Sequence, residues 1–250
     1  MDMPRKTAFE GLWLPMVTPL RGGAWRWLTK KALRECVITT SDSQHMTERM
    51  RELGAGEVMT FPFGLEAMPK QNAKKQPWLC FANRGLETIY RPQLVIDAFA
   101  RIAAAQPEAR LVVANDGSLR GALEADVAAR GLAERVSFVG RLDAAAQAAH
   151  YARSTWFMSL PESDSVSVSV LEAMAHACVP LLSDLPANHE LIGGSARGLI
   201  VGNLDDLPAR MAPLDTAALG RGNRDWVAAN GLFEPHVQRF LTRLRDLTPA

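Results

Sequence analysis

Long apolar runs are missing from this chain of 250 residues: none reaches the roughly 18 residues that a membrane-spanning helix needs. Arg5 and Lys6 precede a short apolar stretch, but Glu10 interrupts it and no A-x-A site follows, which argues against a signal peptide. Cysteine is scarce. Cys36, Cys80 and Cys178 lie far apart with no C-x-x-C spacing, and His45, His150, His176, His189 and His236 are equally scattered, so no zinc pattern forms. Sparse, odd cysteine usage suits a reducing, cytoplasmic compartment. An excess of one charge is also missing, with 28 Lys and Arg against 27 Asp and Glu. A net charge of +1 does not favour a nucleic-acid partner, which usually demands a basic domain or stripe. No G-x-S-x-G, G-x-x-x-x-G-K-[ST] or H-E-x-x-H occurs, and no G-x-G-x-x-G follows a strand.

What is present is a soluble globular composition with 48% hydrophobic residues, long enough for one large domain or two small ones. Residues 1–35 carry seven basic and three acidic side chains, a local +4 that leaves −3 for the remainder. Trp13, Trp25 and Trp27 stand among these charges. Such a segment lies on an anionic membrane surface, or it is a solvated face with Trp packed beneath.

From residue 36 strands and helices alternate. Cys36–Thr40 reads as a strand, Ser41-Asp42-Ser43 caps a helix through Leu53, and Val58–Phe61 reads as a strand. Pro69–Pro77 is polar, Pro-bounded and without period, which makes it the best linker candidate. Strands follow at 78–82, 111–114, 136–139, 155–158, 179–182 and 199–201, separated by helices at 92–105, 118–130, 144–152, 170–178 and 188–192. Ser165–Val170 alternates strictly, yet the strand slot is already filled and Val170–Ala177 favours helix, so this stretch reads as a loop entering a helix. The tail from Leu204 reads as helical and closes with 235–247. Nearly continuous apolar strands in β-α units predict an α/β fold, a Rossmann-like parallel sheet with helices on both faces. Ligands of such sheets bind in the loops after the strands.

Three of those loops carry candidate chemistry. Arg84, after the strand at 78–82, either clamps phosphate oxygens or joins a surface ion pair. Asn115-Asp116-Gly117-Ser118 is either an anion-binding turn or a plain turn capped by Ser118. Glu162, Asp164 and two serines follow the strand at 155–158, with Glu172 eight residues beyond Asp164. Two carboxylates there suit vicinal sugar hydroxyls, and the helix start suits a diphosphate. The alternative is that Asp164 caps the helix and Glu172 is solvated.

The run Asp164–Ala175 resembles the E-x7-E segment of retaining GT-B glycosyltransferases of family four, also called glycosyl transferases group 1. Arg84–Tyr90 is similar to the family block R-x-L-E-P-I-Y, Asn115–Ser118 to G-D-G-P, Val136–Gly140 to V-x-F-x-G, and Ser183–Glu190 to S-D-I-P-A-N-R-E. The resemblance implies a transferase that moves a sugar from a nucleotide-sugar donor to a glycan or lipid-linked acceptor with retention, as in polysaccharide biosynthesis, without metal or other cofactor. It implies that Arg84 holds the diphosphate, Asp164 contacts the donor sugar and Glu172 binds the ribose. It further implies that the amides of Ser165, Val166, Ser167 and Val168 assist, with Asn115, Asp116 and Gly117 beside the phosphates and Gly140 and Arg141 near the base. Tyr90 occupies a place where the family often has a lysine, and Asp164 is one methylene shorter than the usual Glu.

Read this way, residues 1–68 are a remnant of the N-terminal acceptor domain, 69–77 a linker, 78–218 the donor domain, and 219–250 helices packing back toward the N-terminal part. Apolar surface over residues 10–60 is then incompletely covered. A second chain is expected to supply the acceptor domain, or the reading frame is truncated, and the basic Trp segment is either a solvated face or a peripheral membrane contact. A non-catalytic nucleotide-sugar-binding module and a nucleotide-sugar epimerase are the alternatives.

Overall fold

The computed structural model describes residues 19–61, 64–70 and 73–248, without the side chains of 19–22. Arg5, Lys6 and Trp13 of the basic segment, Pro62-Phe63 and Gln71-Asn72 lie outside the described residues. Two compact units divide the chain. The larger is Pro62–His236 and the smaller combines Met1–Phe61 with Val237–Ala250. The division falls at 61/62, not in the expected linker, and the reason is visible at that linker's end. The first strand of the larger unit already begins at Gln76, and Lys75 before it is anchored to two backbone carbonyls. The expected boundary at 219 also moves. Asn223 donates to the carbonyls of Cys178 and Arg197, and Arg224 to that of Ala175, so residues up to His236 belong with the larger unit.

In the smaller unit a helix α1 (Pro19–Glu35) precedes β1 (Thr39–Ser41), α2 (Gln44–Glu52) and β2 (Val58–Thr60). β1 and β2 pair in parallel, Thr39 opposite Val58. The expected strand at 36–40 is shifted toward its C-terminal end, leaving Val37 half exposed. Ser43 caps α2, its hydroxyl accepting from the Met46 amide, and Gly54 turns the chain at φ +103°. The core between strands and helix is partly polar, with the Thr47 hydroxyl bonded to those of Ser41 and Thr60. Trp25, Trp27 and Leu28 of α1 are exposed.

The larger unit is an α/β sandwich. Its elements are β3 (Gln76–Ala82), α3 (Pro92–Ala105), β4 (Arg110–Ala114), α4 (Arg120–Ala129), β5 (Val136–Gly140), α5 (Ala144–Arg153) and β6 (Ser154–Ser159). There follow α6 (Val168–Ala175), β7 (Val179–Ser183), α7 (Pro186–Ile192), β8 (Leu199–Val201), α8 (Leu207–Met211) and α9 (Thr216–Asn230). A last helix, α10 (Phe233–Leu247), starts in this unit and ends in the smaller one, where Arg243 pairs with Glu57 at 2.8 Å.

All six strands are parallel, in the order β5-β4-β3-β6-β7-β8. Successive side chains of a strand point to opposite faces, and the two faces build two cores. Cys80, Val113, Trp156, Met158 and Leu181 pack with α3, α4 and α8, while Phe81, Ala114, Phe157 and Leu182 pack with α5, α6, α7 and α9. Burial on both sides explains why the strands carry continuous apolar runs. The chain winds outward from β3 to β5, returns, and winds the other way from β6 to β8. The direction therefore reverses between β3 and β6, and open parallel sheets bind ligands beyond the strand ends at such a point.

Candidate active site

The reversal places the loop after β3 beside the loop after β6. Arg84 leaves β3 and Asp164 follows β6, and their side chains meet in an ion pair, Nη2 to Oδ2 at 2.9 Å, both about one-fifth exposed. Nη1 of Arg84 donates to Ser167 Oγ at 2.9 Å, and the guanidinium lies over the Tyr90 ring, 4.7 Å from its centroid. Arg84 Nε is buried with no partner among the described residues. A cation is thus held by one charge, one hydroxyl and one aromatic face. Arg91 braces this corner from a left-handed backbone (φ 44°), donating to the carbonyls of Leu160 and Pro161.

The helix cap is not Asp164. α6 begins at Val168 with Ser167 as its cap residue, and the Ser167 hydroxyl makes no capping bond because it faces Arg84 and Ser169. Asp164 instead accepts from the Ser165 amide at 3.1 Å. The first turn of α6 keeps donor amides of the kind that favour an anion.

Glu172 stands one turn into α6 and is half-buried. Its Oε2 accepts from the Tyr151 hydroxyl at 3.0 Å and from Gln147 Nε2 at 3.2 Å. Asn83, the neighbour of Arg84, donates Nδ2 to the same phenol oxygen at 2.7 Å. Burial, reinforced by the Glu172 carboxylate, pushes the Tyr151 hydroxyl far above the usual tyrosine range, so it stays a donor. Beneath it, Lys75 donates to the carbonyls of Tyr151 (2.8 Å) and Ser154 (2.6 Å) and reaches Cys178 Sγ at 3.3 Å. Burial holds the Lys75 ammonium below its ordinary range and pushes the Cys178 thiol up.

The third loop joins the same rim. Asn115 adopts φ 78°, its amide donates to the Gly140 carbonyl at 2.6 Å, and its side chain reaches the Asn83 carbonyl at 3.4 Å. Gly117 is required by contact: a Cβ there would lie 2.5 Å from the Leu86 carbonyl oxygen. Ser118 caps no helix, since α4 starts at Arg120. Its amide and hydroxyl instead donate to Glu87 at 2.8 and 2.6 Å. Arg141, Ser165 and Val168 are exposed at the surface, and Val166 and Ser167 are buried.

The structure thus brings Arg84, Asp164 and Ser167 into direct contact, ties Glu172 to Asn83 through one phenol, and sets Asn115 beside Asn83. Tyr151, Asn83, Gln147 and Lys75 escaped the sequence reading. Only Asn83, next to Arg84 at a strand end, carried a local signal. Among the described residues no three His, Cys, Asp or Glu side chains group so as to hold a metal ion, and no helix is long and apolar enough to cross a membrane.

Comparison with known proteins agrees with this geometry. The family model of glycosyl transferases group 1 matches residues 65–210. No curated protein matches the sequence. Among solved structures, the pneumococcal O-GlcNAc transferase GtfA, in complex with UDP and GlcNAc, superposes with a TM-score of 0.71 at 12% identity, over 90% of this chain and 47% of that one. A GtfA/B complex gives 0.78 at 12% identity, over 90% and 48%. HepE of Anabaena with UDP-glucose gives 0.73 at 14% identity, over 92% and 70%. The chain spans about half the length of the GtfA chain and of the matched chain of the GtfA/B complex. At these identities the likeness establishes the fold, that of the GT-B glycosyltransferases, while the family match covers more than half of the sequence. On that match, made by the segment that holds Arg84, Asp164 and Glu172, the chain belongs to the glycosyl transferases group 1 family.

Proposed function

We propose that this chain binds a nucleoside-diphosphate sugar at the C-terminal rim of the β3–β6 crevice and serves the transfer of its sugar, with retention, to a glycan or lipid-linked acceptor. The observation that carries the reading is the Arg84 guanidinium, oriented by Asp164, Ser167 and Tyr90 beside the first turn of α6. When the bond between the sugar and the diphosphate breaks, negative charge builds on the departing phosphate. A preorganised guanidinium and a row of helix amides stabilise that charge where it forms. Glu172 accepts the ribose hydroxyls, Asp164 exchanges Arg84 for a hydroxyl of the donor sugar, and the amides of Ser165–Val168 and of Asn115–Gly117 line the phosphates. Gly140 and Arg141 border the base. No step in this scheme calls on a metal or other cofactor.

The GtfA structure with UDP and GlcNAc and the HepE structure with UDP-glucose support a uridine nucleotide as the donor class. The GtfA/B complex supports a second chain as the source of acceptor contacts. Exposed Trp25 and Trp27 on the basic helix α1 support peripheral contact with an anionic membrane on the cytoplasmic side.

The test is a thermal-shift and calorimetric panel of UDP, GDP and ADP sugars, followed by mass spectrometry of the donor with and without glycan acceptors. One nucleotide sugar is expected to stabilise the wild type, and Arg84→Ala is expected to weaken binding at least tenfold, roughly the worth of a charge-assisted bidentate contact. Equal binding by wild type and Arg84→Ala removes the guanidinium from the site. Binding without turnover under every condition identifies a binding module, and sugar inverted at carbon two identifies an epimerase.

A further inference from the structure

The phenol of Tyr151 is buried between Asn83 and Glu172, although the scheme above gives it no task. Tyr151 is about 1% exposed and sits among the rings of Phe81, Phe157 and His176, at centroid distances of 5.2, 5.5 and 5.7 Å. Packing alone would be served equally by phenylalanine. The hydroxyl instead accepts from Asn83 and donates to Glu172 Oε2, and Gln147, one turn earlier on the same helix, donates to that same oxygen. An ionised carboxylate offers about four lone-pair sites on two oxygens. Here the protein binds one oxygen twice and makes no hydrogen bond to Oε1 among the described residues.

The geometry points to Tyr151 as a positioning residue. Its hydroxyl, oriented by Asn83, locks the Glu172 carboxylate with Oε1 turned outward for the vicinal 2′- and 3′-hydroxyls of a ribonucleoside diphosphate. The inference rests on the proposed reading that Glu172 takes the ribose. It assigns the discrimination of ribose from deoxyribose to a buried phenol and an asparagine that touch no ligand. Asn83 is the chain neighbour of Arg84, so the residue that orients the phenol leaves the same strand end as the cation. A phenol fixed by three rings loses little freedom in making this bond, so its orientation is set before any ligand arrives.

The test is a thermodynamic cycle on the full chain. Isothermal titration calorimetry compares UDP with 2′,3′-dideoxy-UDP for wild type, Tyr151→Phe and Glu172→Ala. GDP or ADP and their dideoxy forms replace these if the panel above selects another base. Wild type is expected to prefer the ribonucleotide about tenfold or more, the scale of hydrogen bonds to a charged group. Tyr151→Phe is expected to lose most of that preference while holding the dideoxy form as wild type does. A variant that weakens both ligands equally, or neither, overturns the inference, because a packing role does not distinguish the two sugars. If Tyr151→Phe does not fold, Asn83→Ala replaces it, with a smaller loss of the same preference expected and the same two results decisive. Wild type that prefers the ribonucleotide while Glu172→Ala retains that preference removes Glu172 from the ribose and overturns both readings. A wild type that binds no nucleotide does the same.

Discussion

Replacing His176 with phenylalanine is expected to change how the larger unit responds to acid. His176 closes the C-terminal end of α6, is buried, and stacks on Tyr151 with planes 20° apart. Burial, with the nearby charges of Lys75 and Arg224, pulls its pKa from 6.5 down to about 4. The native state thus refuses a proton that the unfolded chain accepts below pH 6.5. Stability from this group is complete above that pH and is lost as the pH falls from 6.5 toward 4. At pH 5 the linkage relation gives a loss of about 2 kcal/mol relative to pH 7.5, about 4–8 °C in melting temperature for a domain of this size. His176→Phe keeps the stack and removes the titration. Melting curves at pH 7.5 and 5.0 for both proteins isolate the term, since every other acid effect is shared. A variant that loses as much stability as wild type between these pH values refutes the argument.

Two further predictions concern the rim. Asp164→Asn removes the ion-pair partner of Arg84, and because both side chains are mostly sheltered the freed guanidinium is expected to bind UDP about 5- to 10-fold more tightly by calorimetry, roughly 1 kcal/mol, while sugar transfer falls. Weaker UDP binding would show that Asp164 does not compete with the diphosphate. Gly117→Val drives a side chain into the Leu86 carbonyl, with an expected loss of about 1–3 kcal/mol in denaturant unfolding; an unchanged midpoint would mean that the loop moves away at no cost.

The apolar strands were legible because burial on both faces leaves them no polar positions. Phe81 and Cys80 belong to different cores, yet both are apolar, and Pro92–Ala105 showed its buried face directly. The short polar elements were less legible. α1 has a Gly22-Gly23 pair and no apolar stripe, so nothing in its period announced a helix. Lys75 read as linker because its role depends on the carbonyls of residues 76 and 79 positions later in the chain. Arg84, Asp164 and Glu172 were found one by one as strand-end and helix-start residues. That they share one site followed from the family resemblance alone, because the contact of Arg84 with Asp164 depends on β3 lying next to β6. Tyr90 marks the same limit: where the resemblance expects a second cation, the fold supplies an aromatic face for the first one. Tyr151, hidden in an apolar helix face, gave no local sign of a polar duty.

The adjacency of β3 and β6 also governs how such a site can diversify. Its two halves are hosted by neighbouring strands that are encoded far apart, so no fragment ending before residue 154 contains more than the cationic half. The loops after β4 and β5, by contrast, ride on the outer wing of the sheet and meet each other through Asn115 and Gly140. Insertions or exchanges in the loop after β5 leave the contact of Arg84 with Asp164 between β3 and β6 in place.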